Sequence, residues 1–240
     1  MSRVTNQLIL ILLILRFMIP AEATNMKIVC LGDSITGQPN LKSYIKWSFI
    51  LECMFDASNG EGKVTVLNRG IGGDTSEGAL KRLQGDVLDE KPAIVIILLG
   101  GNDAGEKRTK ANVQADLTSI VQKCKGVGAK VLLMQYAMIP NPNQPDTAWK
   151  HLDDNNGIIA GVAKSENVAL LDLAVEMNQA LKKQKVSELK GRENGIATWE
   201  TKSISQEYLV SPTDGVHLSP AGELVFARSL FKKLTSLEWL

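Results

Sequence analysis

Five short apolar runs, each followed by a segment of helical character, constrain the fold of this chain more than any other feature. Several runs are continuously apolar rather than alternating, which is typical of parallel strands that helices cover on both faces. The runs lie at 26–31, 63–68, 93–100, 130–135 and 168–173. The helical segments lie at 41–56, 76–90, 109–125, 147–165 and 173–186. This alternation predicts an α/β sandwich with a parallel sheet of about five strands.

The part of the chain after the fifth run divides into an irregular segment and a last helix. The segment 186–212 has the least regular pattern. A plain connection is the favoured interpretation, and a substrate-covering loop is the alternative, because long loops in compact domains are often functional. Ser219 is predicted as the N-cap of the last helix, with Pro220 at its first helical position. The sequence shows no repeat or linker, so 26–240 is predicted to form one domain.

The first 25 residues have the layout of a secretory signal peptide. Arg3 precedes an apolar run at 8–15, which is too short to span a membrane, and the sequence AEA at 21–23 resembles a small-x-small cleavage site. This layout predicts a leader over 1–25 and a secreted or periplasmic protein. The alternative is that Met26 is the true start, which predicts a cytoplasmic protein.

Charge and cysteine content argue against several kinds of partner. The 27 Lys and Arg residues nearly balance the 26 Asp and Glu residues, so nothing favours nucleic acid or another polyanion. The three cysteines share no close spacing, which argues against a metal knuckle or a dense disulfide framework. Cys30 and Cys124 fall in apolar patterns and are predicted to pack in the core. A small, roughly neutral molecule is the predicted partner.

Loops that carry small and polar residues follow the first three runs. Because the carboxyl ends of parallel strands meet at one edge of a sheet, where ligands bind in such folds, these loops are expected to converge. The segment with Asp214 and His217 could reach the same edge. The loops contain Gly32, Asp33 and Ser34 after the first run, Gly70, Gly72 and Gly73 after the second, and Gly100, Gly101, Asn102 and Asp103 after the third. Gly32 is predicted to permit the first turn and Asp33 to brace it through backbone hydrogen bonds.

The residue types in these loops are those of acyl transfer. The chain has two histidines, and His151 lies in a polar helical stretch where a surface position is favoured. His217 is therefore the candidate to activate a serine, and Asp214, three residues earlier, can accept a hydrogen bond from the imidazole. Glycine N–H groups and the Asn102 amide are suitable donors to an oxyanion. Each feature alone also fits an ordinary turn or helix cap.

Taken together, four segments resemble the four sequence blocks of the SGNH, or GDSL, hydrolase family, in order from about Lys27 to the end of the chain. These are Gly32-Asp33-Ser34-Ile35, the Gly73 loop, Gly100-Gly101-Asn102-Asp103 and Asp214-Gly215-Val216-His217. The resemblance implies a flavodoxin-like three-layer α/β/α fold and serine esterase or lipase chemistry, with no metal or other cofactor. Within the family, the chain is most similar to the lysophospholipase L1 and thioesterase I branch.

The resemblance also implies a role for each site residue. Ser34 would be the nucleophile, His217 the general base and then the general acid, and Asp214 its orienting partner. The backbone N–H groups of Ser34 and Gly73 and the side chain of Asn102 would form the oxyanion hole.

Several points stay open at the level of sequence. The substrate is predicted to be a small or lipid-like carboxylic ester, with acetyl groups on cell-wall or plant polysaccharides as the alternative. A non-catalytic binding module is disfavoured because every catalytic position is filled. Tyr136, Trp199 and Tyr208 could line a pocket, although ordinary packing is favoured, and Arg69 and Asp74 are predicted to brace the glycine loop. The oligomeric state is not predicted.

Overall fold

The computed structural model describes 25–103, 106, 108–137, 146–183, 185–193, 196–203, 209 and 217–240. For 146–151, 178, 180–183 and the residues from 185 to 203, the description is of the backbone alone. The predicted leader over 1–25 therefore lies, except for Asn25, outside the described residues.

The main sheet has five parallel strands in the order β2-β1-β3-β4-β5. The strands are β1 (Met26–Gly32), β2 (Val64–Gly70), β3 (Ile94–Leu98), β4 (Lys130–Gln135) and β5 (Ala169–Asp172). This order is that of the flavodoxin-like sheet, in which the chain reverses direction across the sheet between β1 and β3. The central strand β3 is buried along its whole length, as its uninterrupted apolar sequence predicts. The predicted sheet of about five parallel strands is confirmed.

Helices pack in two layers, one on each face of this sheet. They are α1 (Ser34–Gly37), α2 (Trp47–Asn59), α3 (Ser76–Leu83), α4 (Lys110–Gly126), α5 (Asp146–Ser165), α6 (Leu173–Lys183) and α7 (Pro220–Ser236). Contacts link α7 to both α2 and α6, and α4 to both α3 and α5. The N-cap of α7 is Ser219, which accepts a hydrogen bond from the N–H of Gly222, and Pro220 begins the helix as predicted. The three-layer α/β/α fold is thus confirmed.

Two predicted helices differ in detail from the observed ones. The segment 41–56 begins with a 3-10 turn (Ser43–Ile45), and the α-helix starts at Trp47. The segment 76–90 changes from an α-helix to a π-helical turn at Gln84. The prediction that Cys30 and Cys124 pack in the core is confirmed, because both are buried.

The prediction of an irregular connection over 186–212 is wrong for most of its described part. There β6 (Lys185–Glu193) and β7 (Ile196–Ser203) pair antiparallel as a two-stranded sheet of their own. The sequence signal was Asn194-Gly195, a dipeptide that favours tight hairpin turns between strands of alternating polarity. A substrate-covering role for this segment stays the alternative interpretation.

Glu223 joins the last helix, α7, to the start of α2 in the same helical layer through a buried carboxyl group. It is fully buried, and Oε2 accepts a hydrogen bond from the N–H of Trp47 at 2.5 Å, at the start of α2. Burial raises the pKa of the Glu223 carboxyl to about 8, against the opposing effects of the Trp47 N–H and of Lys46. The indole of Trp47 donates in turn to the carbonyl of Ile35 at 3.2 Å, so the Glu223 carboxyl supports the chain around α1 through Trp47.

This burial predicts a pH-dependent stability. An unfolded carboxyl ionises near 4.5, so between that pH and about 8 the folded state binds more protons than the unfolded state. The free energy of unfolding should therefore fall as pH rises through this window, by at most about 1.4 kcal/mol per pH unit. In Glu223→Gln this component of the slope should be absent in urea melts from pH 5 to 8. Parallel slopes in the wild type and the variant would contradict the prediction, and exposed Glu61→Gln is the matched control.

Candidate active site

The first loop, here called the serine turn (32–35), passes directly from β1 into α1. Asp33 caps this short helix, since its Oδ1 accepts a hydrogen bond from the N–H of Ile35 at 2.9 Å. A Cβ at Gly32 would lie 2.1 Å from Oγ1 of Thr36, so only glycine fits there. Ser34 is the first residue of α1 and half-buried at the carboxyl edge of the sheet. The predicted roles of Gly32 and Asp33 in this turn are confirmed.

The second loop, the glycine loop (70–74), lies against the serine turn. A Cβ at Gly70 would lie 2.1 Å from the backbone nitrogen of Gly37, so the two backbones are in close contact. A Cβ at Gly72 would lie 4.0 Å from the Cβ of Ser34, so this loop runs beside the serine side chain. Gly73 has φ +75, a left-handed conformation that favours glycine.

The third loop, the amide loop (100–103), is joined to both others. Nδ2 of Asn102 donates to the carbonyl of Asp74 at 2.9 Å and lies 3.4 Å from Oδ2 of Asp33. Asp103 is fully buried and accepts hydrogen bonds from Oγ of Ser76 at 2.6 Å and from its N–H at 3.0 Å. Asp103 thus fixes the amide loop to the start of α3, and the Asn102 amide is directed between the serine turn and the glycine loop.

A residue that sequence reasoning missed, Arg82 of α3, braces the base of the glycine loop. Its guanidinium donates to the carbonyls of Gly32 and Arg69, at 3.2 and 2.8 Å, and forms an ion pair with Asp74. The sequence signal was the i,i+4 pair of Arg82 with Asp86, which by itself indicates only an exposed helix pair.

The predicted bracing residues of the glycine loop find their partners. Asp74 pairs with Arg82, as just described. Arg69 forms an ion pair with Glu90 at 2.7 Å and donates to the carbonyl of Asp86 at 3.2 Å. Both predicted residues therefore brace this region of the chain.

The carboxyl of Asp33 is almost fully buried beside Ser34. Its Oδ2 accepts a hydrogen bond from the hydroxyl of Tyr136 at 2.6 Å. Burial raises the pKa of Asp33 to about 6, and the Tyr136 hydrogen bond, the Ile35 N–H and the charge of His217 oppose this increase. The imidazole of His217 therefore lies within electrostatic reach of the serine turn.

His217 is half-buried and stands two residues before Ser219, the N-cap of α7. Asp214 lies outside the described residues, and the side chains of His151, Trp199 and Tyr208 do so too. Among the described residues, the Ser34 hydroxyl has no hydrogen-bond partner. Catalytic hydrogen bonds in ligand-free enzymes are often long and shorten only when substrate binds, so this state is compatible with catalysis.

The three loops and His217 thus gather at the carboxyl edge of a flavodoxin-like sheet, where a serine stands beside glycine and amide N–H donors. This combination of fold and site is that of an acyl-transfer hydrolase. The model of the GDSL-like lipase/acylhydrolase family matches residues 30–224, and the chain belongs to this family.

Individual relatives are similar over most of the chain. The esterase TesA of Pseudomonas aeruginosa is 34% identical over 155 residues, which is 65% of this chain and 74% of that protein. An acetylxylan esterase of Geobacillus stearothermophilus is 24% identical over 89% of this chain and 95% of its own. The crystal structure of a lipase/acylhydrolase from Enterococcus faecalis has a TM-score of 0.64 at 26% identity, and the match covers 88% of this chain and 96% of that one.

The family and these relatives identify the protein as a carboxylic ester hydrolase. Within the part of the chain that the structure describes, no helix is both long enough and apolar enough to cross a membrane.

Proposed function

We propose that the protein hydrolyses carboxylic esters through an acyl-enzyme on Ser34, with His217 as the base and Asp214 as its orienting partner. The observation that carries the proposal is the position of Ser34 between the glycine loop and Asn102. The Cβ of Ser34 lies 4.0 Å from the position of a Cβ at Gly72, and the Asn102 amide is anchored by Asp74.

In the first step, Oγ of Ser34 attacks the ester carbonyl carbon while its proton passes to His217. Negative charge develops on the carbonyl oxygen, where the N–H groups of Ser34 and Gly73 and the Asn102 amide would donate hydrogen bonds. The Asn102 contact to Asp33 is long, at 3.4 Å, so this second amide hydrogen is only weakly engaged and would be the one donated to an oxyanion, while the first stays on the Asp74 carbonyl. The tetrahedral intermediate then collapses, the C–O bond breaks, and the alcohol leaves with the proton from His217.

In the second step, water hydrolyses the acyl-enzyme. His217 takes a proton from the water as the hydroxide attacks the acyl carbon, and returns it to Oγ of Ser34 as the acid leaves. Asp214, three residues before His217, would hold the imidazole in the correct tautomer and stabilise the imidazolium.

The proposed substrate is a small or lipid-like carboxylic ester, which membership of the GDSL-like lipase/acylhydrolase family and similarity to the esterase TesA support. The second candidate is an acetyl ester of a polysaccharide, which the similarity to the acetylxylan esterase favours. Rates on p-nitrophenyl esters from acetyl to palmitoyl, together with acetate release from acetylated xylan, separate the two. An optimum at longer chains supports the first, and an acetyl optimum with acetate release from xylan supports the second.

A fluorophosphonate probe tests the nucleophile directly. Oγ of Ser34 should displace fluoride and form a P–O bond, so that loss of activity parallels one added mass on the peptide that contains Ser34. Labelling of a different serine, or full inhibition with no label on this peptide, would contradict the assignment. A protein that neither hydrolyses any ester nor reacts with the probe would be a binding module.

For location, we propose a secreted or periplasmic protein with a cleaved leader over 1–25, and the hydrolase domain over 26–240. The support is the order of segments in the leader: a charged residue comes first, then an apolar run, then small residues that resemble a cleavage site. N-terminal sequencing of the protein isolated from its native host tests this. A mature N-terminus between residues 22 and 27 in the extracytoplasmic fraction is expected, whereas a cytoplasmic protein that starts at Met26 would support the alternative.

A further inference from the structure

Tyr136 is a buried phenol that connects two loops of the site. It follows β4 directly and is 6% exposed. Its hydroxyl donates to Oδ2 of Asp33 at 2.6 Å and accepts a hydrogen bond from the N–H of Gly101 at 3.0 Å. Asp33 directly precedes Ser34, and Gly101 directly precedes Asn102. One hydroxyl therefore joins the serine turn to the amide loop.

The Tyr136 ring is held in place independently of this hydroxyl. Asn156 of α5 accepts a hydrogen bond from the backbone N–H of Tyr136 at 2.8 Å and donates to its carbonyl at 3.1 Å. The ring also lies against the backbone of Gly101, where a Cβ would be 2.8 Å from Cζ. Removal of the hydroxyl alone should therefore leave the ring in position.

The hydroxyl also acts on the charge of its neighbour. Burial raises the pKa of Asp33 to about 6, and the Tyr136 hydrogen bond is the largest of the effects that oppose this increase. Among the charged groups that face Asp33, His217 lowers the pKa of its carboxyl and Asp74 raises it.

The phenol of Tyr136 stays protonated at neutral and acidic pH. Burial, with the charges of Asp33 and Asp103, raises the pKa of Tyr136 well above its ordinary value. The hydroxyl is therefore a constant donor, and the state of Asp33 is what pH changes.

We propose that Tyr136 is a positioning residue for ester hydrolysis, whose hydroxyl joins the serine turn to the amide loop through Asp33. The proposal rests on the proposed roles of Ser34 and Asn102. An ionised Asp33 near His217 also stabilises the imidazolium that forms as Ser34 loses its proton. Tyr136 therefore helps to orient the Asn102 amide and, through Asp33, to stabilise the positive charge on His217.

Tyr136→Phe is the test, because it removes the hydroxyl and keeps the ring. We expect kcat for the best p-nitrophenyl ester to fall about 10- to 100-fold, with KM changed by less than about threefold, because the lost contact orders groups rather than binding substrate. The proposal requires the ionised form of Asp33 for full activity, and in the variant this carboxyl loses a hydrogen bond that favours ionisation. The acid limb of the kcat–pH profile should therefore move to higher pH. A wild-type acid limb in the variant would overturn the proposal.

The control variants separate this role from simple packing. Tyr44→Phe changes an exposed tyrosine and should leave both kcat and the pH profile unchanged. In an Asp33→Asn background, Tyr136→Phe should cause no further shift of the acid limb, because the titrating carboxyl is gone. A further shift in that background would also overturn the proposal. Thermal melts establish that each variant is folded. If Tyr136→Phe does not fold, Asp33→Asn alone carries the test, because it removes the charge beside His217: kcat should fall, and a wild-type kcat in Asp33→Asn would overturn the proposal.

The same assays distinguish failure of this proposal from failure of the proposed function. If Ser34→Ala is inactive while Tyr136→Phe keeps the wild-type rate and profile, only the role of Tyr136 is wrong. If Ser34→Ala keeps the wild-type rate, the assignment of the nucleophile is wrong, and the role of Tyr136 as a support for it is wrong as well.

Discussion

Replacing Ser34 with alanine should lower kcat/KM for p-nitrophenyl esters by about 10⁴-fold or more, because the step that forms the acyl-enzyme loses its nucleophile. The variant should bind substrate as the wild type does, since the carbonyl-binding donors and the rest of the pocket are retained. It should also fold normally, because Ser34 is only half-buried and its hydroxyl has no hydrogen-bond partner among the described residues. Initial rates under saturating and limiting ester, together with a thermal melt, measure all three expectations.

The matched control for this loss is Ser58→Ala, an exposed serine near the end of α2. It should keep the wild-type rate, and it should still react with the fluorophosphonate probe, whereas Ser34→Ala should not. A wild-type rate in Ser34→Ala would move the nucleophile elsewhere in the chain. A rate reduced only about tenfold, with unchanged protein mass after turnover, would indicate a water-based reaction without an acyl-enzyme.

Asn102→Ala should lower kcat by about 10²- to 10³-fold and leave KM within about threefold, the pattern that follows loss of one oxyanion donor. The amide is a donor that acts mainly when charge develops on the carbonyl oxygen, so the ground state should be little affected. The lost hydrogen bond to the Asp74 carbonyl, 2.9 Å long, should cost about 1 kcal/mol of stability. Steady-state kinetics and a urea melt on the same preparation separate the two effects.

For Asn102, the control is Asn59→Ala, which changes an exposed residue at the end of α2. It should leave both the steady-state kinetics and the free energy of unfolding unchanged. If kcat of Asn102→Ala falls by less than about threefold while stability falls as expected, Asn102 only anchors Asp74, and the oxyanion hole is built from backbone N–H groups alone.

Most of the fold and part of the site could be predicted from local pattern. Continuous apolar runs predicted the five strands because both faces of a parallel sheet are buried, and the Ser219-Pro220 pair marked the start of α7. The three loops that carry Gly32, Gly73 and Asn102 were placed together because parallel strands end at a common edge. The hairpin of β6 and β7 was missed because polar segments with a glycine inside were interpreted as a connection.

The residues that support the site were not predictable in the same way. Arg82 reaches the carbonyl of Gly32 across 50 positions of sequence, and Tyr136 reaches Asp33 across 103. No sequence pattern predicts the partners of an arginine on a helix or of a tyrosine after a strand. Here the partners are a backbone carbonyl and a carboxyl group that come close only when the chain folds. Glu223 and Trp47, 176 positions apart, are a third example.

By itself, the sequence determined the layers, the strands and the edge at which the reactive residues lie, since these follow from the period of apolar residues and from the direction of parallel strands. It also indicated candidates for acyl transfer, because Ser34 comes just after the first strand and His217 is one of only two histidines. Only the tertiary structure decided which charges are buried and what compensates them. The ionisation of Asp33 depends on desolvation by the whole fold and on the hydroxyl of Tyr136, just after β4, and both effects arise only when the chain has packed.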